Sequence, residues 1–287
     1  MNAGAPPEGL LLIDKPAGIT SHDAIAQIRR ALGTQKVGHA GTLDPMATGL
    51  LVVGVGRATR LLRFLGDLPK IYEGVLHLGV ETTTLDADGE VVREGQVPAF
   101  TDDEVRAVMT AKLGASAQTP PAFSAVKVGG RKLYEAARKG EHLQAAARIV
   151  RVDRFDVRSR DGADVAFVCE VSGGTYVRVL AADVGSALGV GAHLTSLRRT
   201  AIGPFEVRDA RSPQDPGVPL PAGRAVAHLP RFDLDAEEAV AASHGRVLAP
   251  AGIEGPYGVY GPGGLIGIWR DAGSKAVPEM VLAPAGG

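Results

Sequence analysis

Cysteine is almost missing from this chain. Among 287 residues there is one, Cys169, so no disulfide can form within the chain and a reducing compartment suits it. The string DVAFVCEV places that thiol in an alternating strand, where a buried, inert cysteine is expected. Aromatic residues are also scarce, with five tyrosines and one tryptophan, so any ring set aside for recognition stands out. No apolar run approaches the roughly 18 to 20 residues that a bilayer crossing needs, and no partner membrane is expected. The N-terminal MNAGAPPEG lacks a basic segment ahead of an apolar core, so a secretory leader is not expected and a cytoplasmic location is. No repeat of 20 to 50 residues is visible, which argues against a solenoid.

A net charge is missing too: the total is −1, which by itself does not announce a nucleic-acid partner. The charge is unevenly spread, however. Residues 81–104 carry eight acids and one base, whereas residues 120–160 carry ten bases and four acids. A balanced total can hide a basic face of the kind that binds phosphates, and equally it can be two solvated surfaces.

What is present begins with residues 36–51, KVGHAGTLDPMATGLL. Glycines permit conformations closed to other residues there, and Pro45 stiffens the backbone around Asp44. The following TGLLVV reads as a buried strand, so Asp44 sits on a stiff turn at the mouth of a sheet. A carboxylate in that position is a candidate nucleophile or general base, and Asp-Pro is also ordinary turn chemistry. Nearby, Gly54-Val-Gly56 lacks the rest of any nucleotide-binding fingerprint and reads as a strand-to-helix turn.

Elsewhere, residues 9–14 form a strand, and Thr20 or Ser21 caps a helix with Ile25, Ile28 and Leu32 on its apolar face. Residues 71–80 alternate, with Tyr72, Gly74, Leu76 and Leu78 on one face. Asp86-Ala-Asp-Gly89 signals a hairpin turn. Thr101 and Glu104 form a capping box for a helix with Val105, Val108, Met109 and Leu113 turned inward. Further strands are expected near 149–157 and 164–171, and a helix near 179–188. The expected fold class is α+β: a mixed, largely antiparallel sheet with flanking helices. Four prolines within residues 211–222 read as a linker or a long irregular connection, and short Gly-separated strands beyond residue 228 read as a small β-barrel. The domains so drawn are 1–228 and 229–287, with residues 1–8 a loose tail.

The string GHAGTLDPMATGLL resembles the catalytic motif of the TruB family of tRNA pseudouridine-55 synthases. DKPAGITSHDAI, KIYEGVLHLGVETTTLDADGEV, QTPPAFSAVKVGGRKLYEAARKGE, GGTYVRVLAADVG and HLTSLRRTAIGPF follow in that family's order, over roughly residues 10 to 210. The resemblance implies the pseudouridine-synthase fold with a PUA-like C-terminal barrel. It implies isomerisation of uridine 55 in the TΨC loop of tRNA without a cofactor. It makes Asp44 the nucleophile, Arg178 its fixed cation, Tyr72 a stacking platform for the base, Tyr176 a second tyrosine beside it, and Leu197 a lid of the pocket. His39, five residues before Asp44 on the same loop, could be a general base, a zinc ligand or a wedge, and the resemblance makes it fill the space left by the extruded nucleotide. A zinc role for it lacks a second ligand at suitable spacing, so no metal is expected. Lys15 is a phosphate contact or a support of the pocket. Residues 122–148 resemble an inserted thumb, with Lys127, Arg131, Lys132, Arg138 and Lys139 on RNA phosphates and Leu133, Tyr134, Ala137 and Leu143 as an apolar helix face. The expected partner is the tRNA T-arm stem-loop, bound by a monomer. Two rival readings are a guide-RNA-dependent relative of the dyskerin type, and a tRNA-binding or tRNA-folding protein without relevant catalysis.

Overall fold

The computed structural model of the chain describes residues 7–141 and 143–282. Of the tail read as loose, residues 1–6 lie outside these, and Glu8 is paired with Arg57 at 2.6 Å.

Chain order begins with strand β1 (Gly9–Lys15), helix α1 (Ser21–Leu32), β2 (Val37–Ala40), β3 (Thr48–Val55) and a 3-10 segment (Gly56–Leu65). Next come β4 (Lys70–Leu78), a hairpin of β5 (Val80–Thr82) and β6 (Val91–Glu94), helix α2 (Asp102–Thr110) and β7 (Gly114–Gln118). A second hairpin, β8 (Lys127–Val128) and β9 (Arg131–Lys132), leads into helix α3 (Leu133–Ala137). The unit closes with β10 (Arg148–Asp161), β11 (Asp164–Val171), α4 (Val177–Ala187), β12 (Ala192–Ile202) and β13 (Phe205–Glu206).

Helix α1 starts where local chemistry dictates. Thr20 accepts from the Asp23 N–H at 3.1 Å while the Asp23 carboxylate accepts from the Thr20 N–H at 2.9 Å, a reciprocal cap. Thr101 and Glu104 do the same for α2. That helix stops at Thr110, so Leu113, expected inward, lies beyond it and is exposed.

One mixed sheet of nine strands runs β1-β3-β12-β4-β11-β10-β7, with β2 on β3 and β13 on β12. All its pairings are antiparallel except β12 with β3, where Arg198 and Arg199 oppose Thr48 and Gly49. Gly49 sits there at φ +100°, and a Cβ on it would lie 2.3 Å from the Arg199 carbonyl oxygen. Only glycine lets β3 come so close to β12. Strand β3 is buried from Gly49 to Val55 because both its faces are covered. One face meets α1 through Leu51, Val53, Ile25 and Ile28. The other meets the 3-10 segment through Leu50, Val52, Leu61 and Leu65. The β4, β10, β11 and β12 part buries one face, including Leu76, Phe155, Phe167 and Leu194, against α2 and α4.

Residues 211–222 are the long irregular connection rather than a free linker: Arg211 and Leu220 exchange backbone hydrogen bonds with Leu12, Asp14 and Leu10 and so cover the outer edge of β1. One expectation is corrected: the described C-terminal residues do not close into a barrel. Strands β14 (Arg231–Asp233), β15 (Pro256–Gly261), β16 (Gly264–Ala272) and β17 (Lys275–Val281) form an open sheet in that order. The three-residue β14 runs directly into helix α5 (Ala236–Ser243), which packs across β15 and β16. Leu234, Ala242, Tyr257, Val259 and Trp269 thus bury one face without strand-to-strand closure. Ile268, Met280 and Leu282 join Leu61 and Leu65 in a shared core, so this sheet is docked onto the 3-10 segment.

Candidate functional site

The loop carrying Asp44 is held from beneath by the turn after β1. Ser21 Oγ donates to the Leu43 carbonyl at 3.1 Å and accepts from the Leu43 N–H at 2.9 Å. Gly18 N–H donates to the Pro45 carbonyl at 2.9 Å. Lys15 is fully buried, and its Nζ donates to the carbonyls of Pro16, Ile19 and Pro45 at 2.9, 2.8 and 3.2 Å. Its three protons are thereby committed to backbone, which leaves none for a phosphate. Burial lowers its pKa to about 8, although the nearby Asp44 charge works against that drop.

Arg178, in the first turn of α4, reaches Asp44 side-on. Its Nη2 donates to Oδ1 at 3.2 Å and its Nε lies 2.9 Å from Oδ2. The guanidinium is 3% exposed, whereas the Asp44 side chain retains 33% of its surface. Further contacts fix it: Nη1 donates to the Thr84 carbonyl at 2.7 Å, Nη2 to the Phe123 carbonyl at 3.0 Å, and Asp86 Oδ2 stands 3.3 Å from Nη1. Asp86 thus does more than make the hairpin turn assigned to its segment. Burial raises the Asp44 pKa; Arg178 pulls it back down, and the Asp86 charge raises it again.

Asp44 and Arg178 open onto a cavity of about 300 Å³ whose walls include Tyr72, Tyr176 and Leu197. Tyr72 comes from β4, Leu197 from β12, and Tyr176 from the residue preceding α4. Gln118 holds Tyr176 in place, its Oε1 accepting from the Tyr176 N–H at 2.8 Å. The Arg148 guanidinium lies 4.9 Å from the Tyr176 ring centre. Five of the predicted residues, Asp44, Tyr72, Tyr176, Arg178 and Leu197, are therefore brought together. Lys70, Arg148 and Arg199 also line this cavity and were not singled out from sequence. Their signal was proximity to chosen residues: Lys70 two before Tyr72, and Arg199 two after Leu197. At that spacing on a strand, side chains share a face.

Besides Lys15, two groups of predicted residues lie outside the cavity walls. His39 is on strand β2, opposite Val53, rather than on the Asp44 loop. Its ring stands 6.4 Å from that of His22, and its Nδ1 is buried with no hydrogen-bond partner among the described residues. Burial, with His22 and Arg199 nearby, lowers its pKa to about 4, so it is neutral at physiological pH. Among the described residues no cluster of three or more His, Cys, Asp or Glu is arranged to hold a metal. The second group comprises Lys127, Arg131, Lys132, Arg138 and Lys139, on and after the β8–β9 hairpin. All are exposed except Lys132, which is half-buried. Arg131 pairs with Glu141 at 2.8 Å, and Lys132 stands 3.6 Å from Glu135. Arg138 lies over the Tyr134 ring at 5.6 Å. Leu133 is buried as expected. Ala136 is buried too, while Tyr134, Ala137 and Leu143 are only half-buried. The start of this segment does reach the site, because Ser124 and Val126 line the cavity and Phe123 binds Arg178.

The mixed sheet that carries the Arg178–Asp44 pair and its tyrosine-lined cavity matches the pseudouridine-synthase fold. A chain in the crystal structure of a Cbf5–Nop10–Gar1 complex matches it with TM-score 0.73 and 29% identity, over 96% of this chain and 85% of that one. The chain belongs to the TruB family: residues 29–177 match the model for the TruB family pseudouridylate synthase N-terminal domain. Residues 178–215 match the tRNA pseudouridylate synthase B C-terminal domain, and residues 229–283 match the C-terminal region of tRNA pseudouridine synthase II. The tRNA pseudouridine synthase B of Rhodococcus jostii strain RHA1 is 48% identical, covering 96% of this chain and 94% of that protein. The protein of the same name from Mycobacterium tuberculosis H37Rv is 45% identical, covering 99% and 98%. Cys169 is fully buried, and burial pushes its thiol up to about 12, so it is not a nucleophile at neutral pH.

Proposed function

We propose that this protein isomerises uridine 55 to pseudouridine in the TΨC loop of tRNA, acting as a monomer in the cytoplasm without guide RNA, cofactor or metal. The bond from C1′ to N1 breaks, C1′ joins C5 of the same base, C5 loses a proton and N1 gains one. Atoms and electrons balance within the nucleotide, so the reaction needs no redox partner.

The observation that carries this reading is the Arg178–Asp44 pair opening into a cavity between two tyrosines. In it Asp44 is the nucleophile, kept ionised by Arg178 despite burial. Tyr72 stacks on the flipped base, Tyr176 lies beside it and Leu197 closes over it. Lys15 acts only by supporting the loop. His39, neutral and outside the cavity, stacks in the RNA where the nucleotide has left. Residues 122–148 fold over the RNA, with Lys127, Arg131, Lys132, Arg138 and Lys139 on its phosphates. Residues 1–228 form the catalytic unit, and residues 229–287 form a second RNA-binding unit with a PUA-like role. Relatives named for tRNA that align over almost the whole chain support this substrate.

The test is incubation of the purified protein with one unmodified tRNA transcript, followed by chemical mapping of pseudouridine. Product at position 55 without added guide RNA is the expected result. Product only with a guide, or binding without product, would overturn the reading in favour of its two rivals.

A further inference from the structure

Two cations in the cavity wall have no role in the site as described so far. Lys70 is 7% exposed and Arg199 1% exposed, and each faces the cavity. Among the described residues their hydrogen bonds go only to backbone carbonyls. Lys70 Nζ donates to Gly66 and Leu68 at 2.8 and 2.9 Å; Arg199 Nε donates to Leu50 at 2.7 Å and Nη2 to Gly41 at 2.9 Å. Among the described residues neither has an ion-pair partner, although Asp67 exerts a weaker pull on Lys70. Arg178, across the same cavity, has two carboxylates.

The difference matters energetically. Carbonyls satisfy N–H groups but do not cancel a charge, and lysine and arginine are seldom buried unpaired. The two side chains sit together: Arg199 opposes Tyr72 across the β4–β12 ladder, and Lys70 shares the face of Tyr72. Gly41, in the Asp44 loop, is tucked between them. A Cβ there would be 3.4 Å from Arg199 Nη1 and 3.7 Å from Lys70 Cε. Lys70 retains one N–H uncommitted, and Arg199 retains its Nη1 group and half of Nη2. A cavity built only for a neutral base would leave two positive charges uncompensated.

We infer that Lys70 and Arg199 form an anion subsite for a backbone phosphate of the extruded nucleotide. This rests on the RNA-modifying reading above. The phosphodiester supplies one negative charge between the two cations and sets the height at which the base meets Tyr72. Charge-assisted contacts of this kind are short and directional, so the subsite also fixes which nucleotide enters.

The experiment replaces single phosphates in a T-arm stem-loop RNA by methylphosphonate, which is neutral and of similar shape, on the 5′ or the 3′ side of the target uridine. Binding and single-turnover conversion are measured with the parent protein and with Lys70→Gln. One of the two neutral linkages should weaken binding by the parent about tenfold, as for loss of a charged hydrogen bond. Lys70→Gln should bind that RNA and the native RNA within about twofold of each other, because part of what the phosphate was recognised by is gone. Arg199→Lys, which keeps the charge, should restore most of the discrimination lost in Arg199→Gln. Parent protein that binds all three RNAs equally while converting the native one would overturn the subsite alone. So would a Lys70→Gln variant whose bound-state rate collapses while its discrimination stays intact, since the cations would then serve the base. No conversion of the native RNA by the parent would instead bring down the reading on which the subsite rests.

Discussion

The cavity around Asp44 and the hairpin segment after residue 122 are both rich in arginine and lysine, yet they hold their charges in opposite ways. Arg178 and Arg199 are almost wholly buried, and backbone carbonyls more than 30 residues away in sequence fix them in one orientation. Arg131 and Lys132 lie at the surface, where they pair with Glu141 and Glu135 from the same short stretch. A buried charge is expensive to desolvate and survives only where the surrounding structure compensates it. An exposed pair contributes little, is screened by salt and can exchange its partner for a phosphate. One region is suited to fixed geometry, the other to adjustable attraction.

The sharpest way to break this contrast is Asp44→Asn. The change preserves shape and removes the charged nucleophile, so isomerisation should fall below detection. Affinity for tRNA should stay within about tenfold, because phosphate contacts made elsewhere carry it. Binding curves and pseudouridine mapping on the same preparation check both halves. Residual turnover above a few per cent would show that the buried pair is not the reacting centre.

A smaller effect is expected from titrating the pair. Burial raises the Asp44 pKa, so the single-turnover rate should fall with decreasing pH at a value above the ordinary 3.8. Arg178→Lys loses the side-on contact and should move that acid limb higher still, with roughly a tenfold lower plateau. Stability should respond with the opposite sign. A folded value above the unfolded one means that this group's contribution is fully present below 3.8 and is lost as pH rises through the folded value. An acid limb that is unchanged in Arg178→Lys would separate Asp44 ionisation from Arg178.

The mildest change belongs to the hairpin segment. Neutralising Arg131, Lys132, Arg138 and Lys139 together should weaken tRNA binding and flatten the plot of log K against log salt. Each lost single-strand contact should remove roughly 0.7 from its slope. The single-turnover rate at saturating protein should change little, because none of the four lines the cavity. Parallel slopes for parent and variant would make the basic run an ordinary solvated surface. A collapse in rate would mean that the segment shapes the cavity through Phe123 and Ser124.

Much of the scaffold was legible without tertiary information. The caps of α1 and α2, the buried strand after Asp44 and the turn at Asp86–Gly89 all rest on contacts within a few residues. Leu113 was misplaced because helical periodicity continues in the sequence past the point where the backbone leaves the helix. For residues 211–222 a linker and a long irregular connection both stayed open, because proline content reports missing N–H donors. It says nothing of an edge strand 200 residues earlier that needs covering. The second unit read as a barrel because Gly-separated strands look alike whether or not the last returns to the first.

By itself the sequence determined which residues could do chemistry, since Asp44 stands in a motif whose glycines and proline restrict the backbone around it. Only the tertiary structure decided what that carboxylate faces. Arg178 meets it from 134 positions away, Asp86 arrives from a hairpin, and Lys70 and Arg199 converge through neighbouring strands. Burial and pairing are set by sheet order and register, which join residues that no local pattern relates.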